Sequence, residues 1–413
     1  MTLAANHRLP LNGNNTNTMR IKVTLLFILL SIFQLGQIKA QTIQNTRIHI
    51  ALFVPLYLDS AFVDQYDTYS YGKNFPKQSI PGLDFYLGAE AALDSLANLG
   101  IPITLHVFDI KSKSGNINTI AQTPLMDSID LIVGPVTGSD FIQLTQLANQ
   151  KNIPFVSASY PNDGGLKKSP NLIIVNSKLN THIQSTYNYV ARNLIGYKII
   201  YLRRQNPIDD KVSDVIKTLN TTSTGQLLNI KTVQVDELFT IDSLSSNLDS
   251  LRNNVIIVGS LDETFGLSMV TNAALIAKNY ALTIVGMPTW GNIKDLTKPE
   301  FNPLPIIYSA SFFNDLSNPW SVGFEEKYRN KSYSKPTDMA YRGYELIWNF
   351  TNLLKKYGKK SLLNNLSDKS FKIMSDFDFK PVNWSKTNTF PDYYENKKVI
   401  ILKRQGGTVS RIN

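Results

Sequence analysis

The chain has 413 residues, with 42 Lys plus Arg against 32 Asp plus Glu, 43% hydrophobic residues and no cysteine. This composition is that of a globular protein, and the length predicts two or three domains. The lack of cysteine excludes a disulfide framework, thiolate metal sites and a cysteine nucleophile. The net charge of +10 comes without a dense Lys/Arg run, so it indicates a solvated surface and gives no reason to expect a nucleic-acid partner.

The N-terminal segment has the features of an export signal. Arg20 and Lys22 precede an apolar run at 23–33, and a small residue, Ala40, ends the segment. The apolar run is far shorter than the ~20 residues that a spanning helix needs. We therefore predict that residues 1–40 are an upstream extension and a signal peptide, and that no membrane span remains after cleavage. An uncleaved anchor and a buried core strand are the alternatives for this run.

A first α/β unit follows residue 45. Its predicted strands are the β-rich apolar runs at 47–58, 103–110, 130–136 and 153–157, and its predicted helices, with apolar residues three and four apart, lie within 83–100 and 141–148. Nearly continuous apolar runs such as LIVGPV and IPFVSAS are typical of strands covered on both faces. Strands and helices that alternate with short Gly/Pro junctions predict a parallel sheet built from crossover units.

The same alternation begins again at residue 171. The predicted strands are 171–176, 198–202, 231–235, 255–259, 281–286 and 306–312, and the predicted helices are 181–194, 209–219, 241–251 and 263–278. Two helices within 319–358 and a strand at 398–403 before a Gly-Gly turn complete the chain. The predicted fold class is α/β, with two doubly wound parallel-sheet lobes. Because open α/β sheets bind ligands outside the carboxyl ends of their strands, we expect a ligand cleft between the lobes.

Catalytic motifs are missing from the sequence. It contains no G-x-x-x-x-G-K-[ST], G-x-G-x-x-G, H-E-x-x-H or G-x-S-x-G. His49 and His106 lie in separate strand patterns with no second histidine nearby, which favours core or surface histidines over metal ligands. The adjacent acids at 209–210 and 325–326 point in different directions on a helix, so each pair indicates a solvated face. We therefore expect a binding protein without enzyme activity, cofactor or metal.

The order of elements resembles the type I periplasmic binding proteins, in particular the leucine/isoleucine/valine-binding branch that serves ATP-driven importers. The similarity spans residues 46 to 405 and rests on IHIALFVPLYLD, PGLDFYLGAEAALDSL, LHVFDIKSK, DLIVGPVTGSD, NIPFVSASYP and NNVIIVGSLDETFG. The resemblance implies three crossovers, which assign residues 46–177 and 291–375 to lobe one and residues 178–290 and 376–413 to lobe two. It also implies an exported, periplasmic protein whose partners are a small ligand and the membrane permease of an ABC importer.

The resemblance further implies two ligand-binding loops in lobe one. In the family, the loop after the third strand offers hydroxyls and backbone N–H groups to the ligand carboxylate, and the turn after the fourth strand offers a hydroxyl and a carbonyl to the headgroup. Here these two loops are Thr137-Gly138-Ser139 and Ser157-Ala158-Ser159. Such groups at a helix N-terminus hold a small anion well. An alternative and compatible interpretation is that Ser139 and Asp140 cap a helix that begins at Phe141.

In amino-acid-binding members of the family, an acid of the second lobe pairs with the ligand ammonium. Glu263 falls at the matching position in GSLDETFG, and Asp262 is the neighbour to consider instead. An acid in the first turn of a helix is the structural alternative for Glu263, because a carboxylate there interacts favourably with the helix dipole.

One segment departs from the family pattern. The insertion Asp59–Ser79 is rich in aromatic residues, among them Tyr66, Tyr69, Tyr71 and Phe75. Aromatic side chains in such a loop suit a cover over the cleft mouth or a docking surface, and an ordered packing flap is the alternative. The alternative function is therefore an exported receptor or scaffold of the same fold that acts through a partner protein or the cell wall.

Overall fold

The computed structural model describes residues 47–63, 68–222, 225, 227–236, 239–385 and 390–413. The predicted signal segment and Tyr66 lie outside the described residues. None of the described helices combines the length and the apolar character needed to cross a bilayer.

The first sheet has seven strands, all parallel to their neighbours except one terminal pair. They are β1 (Ile48–Val54), β2 (Ile103–Asp109), β3 (Leu131–Gly134), β4 (Phe155–Ser157), β5 (Leu172–Ile174), β11 (Phe379–Val382) and β12 (Tyr393–Asn396). Their order is β11-β12-β5-β4-β3-β1-β2, and the β11–β12 pair is antiparallel. Every residue of β3, β4 and β5 is buried, because helices cover both faces of the central strands.

The second sheet also has seven strands. They are β6 (Lys198–Arg203), β7 (Ile230–Gln234), β8 (Asn254–Val258), β9 (Leu282–Val285), β10 (Ile306–Ala310), β13 (Ile400–Gln405) and β14 (Thr408–Arg411). Their order is β14-β13-β10-β9-β8-β6-β7, and β13 is antiparallel to both of its neighbours. Gly406 and Gly407, with φ of 60° and 75°, form the tight turn between β13 and β14, a conformation that glycine adopts without a steric penalty.

Helices cover the faces of the two sheets. They are α1 (Leu58–Ala61), α2 (Ile80–Asn98), α3 (Ile117–Ala121), α4 (Gly138–Lys151), α5 (Leu179–Asn193), α6 (Pro207–Thr222), α7 (Ile241–Ser245), α8 (Glu263–Ile276), α9 (Pro319–Ser332) and α10 (Asp338–Tyr357). Each sheet therefore has its own apolar core, one cluster for the second lobe and two clusters for the first. The predicted fold class, two doubly wound and largely parallel lobes, is confirmed.

Helices α2 and α10 of the first lobe cross in backbone contact. A Cβ atom added at Gly88 would lie 1.9 Å from the carbonyl oxygen of Ala340, and one added at Gly343 would lie 2.1 Å from that of Phe85. These distances are far below van der Waals contact, so only glycine permits the crossing at either position. The close crossing fixes the position of α10 on the first lobe. It therefore also fixes the position of Arg342, which precedes Gly343.

Three crossovers connect the lobes, at residues 175–178, 311–318 and 397–399, and Ser177 of the first crossover makes hydrogen bonds at the hinge. Ser177 donates its backbone N–H to Ser311 Oγ at 3.0 Å and its hydroxyl to the Asn396 carbonyl at 2.6 Å. Ser177 therefore links the first crossover to the second and to the last residue of β12, which immediately precedes the third.

The strand pairing differs from the predicted lobe boundaries in two places. β10 was expected in lobe one, but it lies in the second sheet, where Ile306 pairs with Ile284. β11 and β12 fall in the range predicted for lobe two, but they extend the first sheet, where Tyr394 pairs with Ile173. The physical reason is that the second crossover comes after β10, at 311–318 and not near residue 291, and the last comes after β12, at 397–399 and not near residue 376. The exact residues at which one lobe ends and the other begins remain a prediction.

Candidate ligand-binding site

The acidic end of β2 shapes the neighbouring loop. The carboxylate of Asp109, which is 7% exposed, accepts hydrogen bonds from the backbone N–H groups of Leu56 at 2.9 Å and Leu58 at 2.8 Å. It also accepts one from Lys111 N at 3.0 Å. Three charge-assisted bonds hold the chain that leaves β1 at this edge of the sheet, so Asp109 has a structural role.

The first predicted loop lies at the start of α4. This helix begins at Gly138, with Thr137 as its N-cap residue and no hydrogen bond from the cap side chain. Residues 137–139 are exposed, and the Asp140 carboxylate pairs with Lys111 Nζ at 2.7 Å. The interpretation of Ser139 and Asp140 as caps of a helix that begins at Phe141 is therefore wrong, because both lie inside the first turn. The Ser139 hydroxyl remains accessible beside the N-terminal N–H groups.

The second predicted loop, at the end of β4, is more enclosed. Ser157 is fully buried, and its hydroxyl has no hydrogen-bond partner within the part of the chain that the structure describes. Ala158 N donates to the Gly134 carbonyl at 3.0 Å, which ties the ends of β3 and β4 together. Ser159 is half-buried, and its carbonyl accepts from Asn176 Nδ2 at 2.6 Å. The structure thus brings the two loops together at the carboxyl edge of the first sheet. The Ser159 carbonyl is already used by the hydrogen bond from Asn176.

The sequence analysis missed one charged residue at this edge. Arg342 of α10 is 8% exposed and donates to the Ala158 carbonyl at 2.8 Å, so its guanidinium lies against the second loop. The signal in the sequence was weak: a single Arg beside Gly343 on a helix with a strong apolar stripe.

In the second lobe, Asp262 is the N-cap of α8. Its Oδ1 accepts from the N–H groups of Thr264 at 2.9 Å and Phe265 at 3.1 Å, and its Oδ2 pairs with Arg204 Nη1 at 3.1 Å. The hydrogen bond from Phe265, together with Arg204, keeps the pKa of Asp262 below its usual value. Both carboxylate oxygens are therefore engaged within the second lobe, which favours Glu263 over Asp262 as the partner for a ligand ammonium.

Glu263 is the first residue of α8 and is exposed. Its Oε1 accepts one hydrogen bond, from Asn292 Nδ2 at 3.1 Å. Glu263 follows β8, at the carboxyl edge of the second sheet, where the family pattern puts the acid. Glu263 lies on the second lobe, whereas Ser139 and Ser159 lie on the first. A ligand site between the lobes needs residues from both.

The aromatic insertion folds locally. Phe62 pairs with Tyr69 in an isolated β-bridge, and the ring centroids of Tyr69 and Tyr71 lie 5.9 Å apart. Tyr69 OH donates to the Asn74 carbonyl at 2.7 Å, while Phe75 is 50% exposed. The described part of this segment is an ordered aromatic flap with an exposed tip.

The two strand histidines are neighbours, contrary to the expectation of isolated histidines. The parallel register of β1 and β2 brings His49 Nδ1 within 3.1 Å of His106 Nε2. Burial, and then the proximity of His49, lowers the pKa of His106. Within the described ranges, no group of three or more His, Asp or Glu side chains is suited to hold a metal ion.

The comparisons with known proteins agree with this architecture. A family model described as periplasmic binding protein matches residues 77–388, well over half of the chain. The chain belongs to this family, which consists of binding proteins and not of enzymes. A search of curated protein sequences found no match.

Solved structures share the fold at low sequence identity. A protein from Rhodospirillum rubrum assigned to branched-chain amino acid ABC transport has a TM-score of 0.63 and 14% identity, over 89% of this chain and 100% of that one. A branched-chain amino acid ABC transporter periplasmic ligand-binding protein from Burkholderia xenovorans has a TM-score of 0.59 and 12% identity, over 89% and 95%. An ABC transporter substrate-binding protein from Desulfitobacterium hafniense in complex with Leu has a TM-score of 0.53 and 14% identity, over 89% and 100%. At these identities the likeness establishes the fold.

Proposed function

We propose that this protein is an exported, periplasmic solute-binding protein whose two lobes close on a small polar ligand. The ligand is an amino acid or a related compound, and the closed form presents it to the membrane permease of an ABC importer. The observation that supports this best is the pair of polar strand edges on opposite lobes, with Ser139 exposed on one and Glu263 exposed on the other. The family membership and the structural neighbours support the same class of function.

The chemistry of the two edges suits an amino acid. The hydroxyl of Ser139 and the free N–H groups of the first turn of α4 would accept a carboxylate, since a helix N-terminus carries a partial positive charge. Glu263 would pair with the ammonium. When the lobes close and water leaves, each of these bonds becomes stronger because the local dielectric constant falls. Closure without such partners would bury unpaired charges at high cost.

The receptor or scaffold alternative predicts a cleft filled by apolar side chains. Exposed Thr137, Ser139 and Glu263 at the strand edges favour ligand binding instead. The aromatic flap remains compatible with either function, because its exposed Phe75 could contact a protein partner of the transport protein as well as of a scaffold.

Thermal-shift screening of the purified mature protein tests the proposal. The panel contains the twenty amino acids, short peptides, nucleosides and cell-wall fragments. A ligand at 100 times its dissociation constant adds about 2.7 kcal/mol of stability, which gives a clear rise in Tm. The double variant S139A/E263Q serves as the control and should lose the shift. If no compound in the panel raises Tm in the wild type, the ligand-binding proposal is contradicted.

Export is tested separately. N-terminal sequencing of the protein from fractionated cells should start at or near Gln41, and the protein should be in the periplasmic fraction. Cytoplasmic protein that retains an intact Met19 or Met1 would contradict export.

A further inference from the structure

A groove on the first lobe lies apart from the proposed ligand site. Residues of α2 and α9 line it, together with Tyr344 of α10. Its volume is about 370 Å³, which is within the range of small-molecule sites. None of its lining residues in the described part of the chain belongs to the loops at 137–139 and 157–159 or to α8. A molecule in this groove is therefore separate from a ligand held between the lobes.

The lining of the groove is mainly aromatic and apolar. Trp320 and Phe324 stack with their ring centroids 5.2 Å apart, and the centroid of Trp320 lies 4.6 Å from that of Tyr344. Phe324 and Tyr344 are each only 6% exposed, so their rings are held by the surrounding core. On the side of α2, the short side chains of Ala91 and Ser95 leave space. Packed rings with short side chains across from them suit a flat apolar body.

Gly323 keeps the groove open on the side of α9. A Cβ atom added at Gly323 would have no neighbouring atom within 4 Å outside its own stretch of helix. Packing therefore requires no glycine here, in contrast to Gly88 and Gly343. A glycine inside a helix is less favourable than alanine, and departures of this kind are retained mainly where function needs them. We attribute the open space beside Gly323 to a bound molecule.

Two polar groups of the aromatic lining have no partner. Tyr344 is almost fully buried, yet its hydroxyl forms no hydrogen bond within the described residues, and the same holds for Nε1 of Trp320. Buried polar groups normally have a hydrogen-bond partner. Both groups can donate a hydrogen bond, so they suit acceptor atoms of a ligand.

The charged residues of the groove leave one cation unpaired. Lys331 Nζ pairs with Glu90 at 2.7 Å, and this hydrogen bond raises the pKa of Lys331, with Asp94 acting in the same direction. The acidic group of the lining, Asp94, therefore already faces a cation. Lys327 also lines the groove and forms no ion pair within the described residues. The rim thus offers a positive charge to a ligand.

We propose that this groove is a second ligand site, which binds a planar aromatic molecule with one acidic group. The rings of Trp320, Phe324 and Tyr344 contact the flat body, and Lys327 supplies the counter-charge for the acidic group. The two unpaired donors add hydrogen bonds to its acceptor atoms. The inference is independent of the function proposed for the cleft, because the two sites share no residue.

Titration calorimetry on the mature protein tests this site with three probes of equal shape: 2-naphthoate, 2-naphthamide and 2-naphthylmethylamine. The wild type should bind 2-naphthoate at one site, at least threefold more tightly than the neutral amide and more tightly still than the cation. K327Q should remove the preference for the acid and leave binding of the amide within twofold. K355Q, the same change at an exposed lysine of α10, should leave both affinities unchanged.

Filling the groove gives the second arm of the test. G323L should weaken binding of 2-naphthoate at least tenfold and keep the Tm of the wild type, because its side chain extends into open space. V322L, a change at the adjacent exposed residue, should bind as the wild type does. Should G323L not fold, G323A, which adds one methyl group and favours the helix, should still weaken binding at least threefold.

The outcomes separate this site from the cleft. S139A/E263Q, which changes the proposed cleft site, should bind 2-naphthoate as the wild type does. If S139A/E263Q loses binding and G323L keeps it, the aromatic acid binds in the cleft and the inference is overturned. It is also overturned if the wild type does not bind 2-naphthoate, or if the wild type forms dimers that G323L abolishes, since the groove would then be an interface between copies. None of these results contradicts the function proposed for the cleft.

Discussion

A buried histidine beside the crossovers makes the stability of the fold dependent on pH. His182, 5% exposed, lies with Nδ1 3.0 Å from Ser309 Oγ and Nε2 3.0 Å from Ser311 Oγ. Burial lowers its pKa from 6.5 to about 4, against a smaller opposing effect of Glu395. Between these values the unfolded chain binds a proton that the folded chain does not bind. The contribution of His182 to stability is therefore complete above about pH 6.5 and is lost as the pH falls towards 4.

The magnitude follows from the shift of the pKa. A shift of about 2.5 units corresponds to about 3 kcal/mol, at about 1.4 kcal/mol per unit. Other groups also change stability in acid, so the measured quantity is the difference between the wild type and H182Q. Between pH 7.5 and pH 4, the wild type should lose about 3 kcal/mol more unfolding free energy than H182Q.

Urea unfolding monitored by circular dichroism at pH 7.5, 6, 5 and 4 measures this difference. S309A is the matched control: it keeps the imidazole and loses one hydrogen bond, so it should be less stable by about 1 kcal/mol at every pH, with the slope of the wild type. If H182Q loses stability in acid as steeply as the wild type, His182 is not the group that titrates, and the reasoning fails.

Four further predictions concern the two loops, the start of α8 and the helix crossing. The double variant S139A/S159A should weaken binding of an identified ligand by about 1 to 3 kcal/mol while Tm hardly changes, and a fall in Tm at constant affinity would instead indicate a structural role. Calorimetry with E263Q should show a loss of about 2 to 5 kcal/mol for an amino-acid ligand but not for a neutral one, and an unchanged affinity would exclude Glu263 as the ammonium partner. The variant D262A, which lacks the cap of α8, should lower the unfolding free energy by about 0.5 to 2 kcal/mol; stability equal to wild type would show that the cap contributes nothing. G88A should unfold at a clearly lower urea concentration, since its Cβ would overlap the facing helix.

Sequence patterns predict the central strands well, because strands buried on both faces are apolar without interruption, as in LIVGPV for β3. They fail for the late strands of the first sheet. β11 (FKPV) has two exposed residues and contains Pro381, which suits an edge strand, and β12 (YYEN) is polar where it meets the hinge. Neither segment has the alternation or the apolar run from which a strand is recognised.

The residues of the candidate site also divide into those that the sequence predicts and those that it does not. The loops at 137–139 and 157–159 follow predicted strands directly, so their place at a strand edge could be inferred. Arg342 could not be found in this way, because an arginine on an amphipathic helix normally faces solvent. Its burial depends on the crossing of α10 over α2 and on the ring of Phe312 beneath its guanidinium, contacts between segments far apart in the chain.

The late strands also determine when the protein can fold. Asn396 donates to the Val175 carbonyl across 221 residues of sequence, and β13 is the neighbour of β10 in the second sheet. During synthesis from the N-terminus, neither sheet can be completed until the C-terminal segment has been made, although most of each core is present much earlier. Closing such long loops is slow, because their entropy is lost before the contacts form. The nascent chain therefore keeps open sheet edges until the segment that contains β11 to β14 has been synthesised.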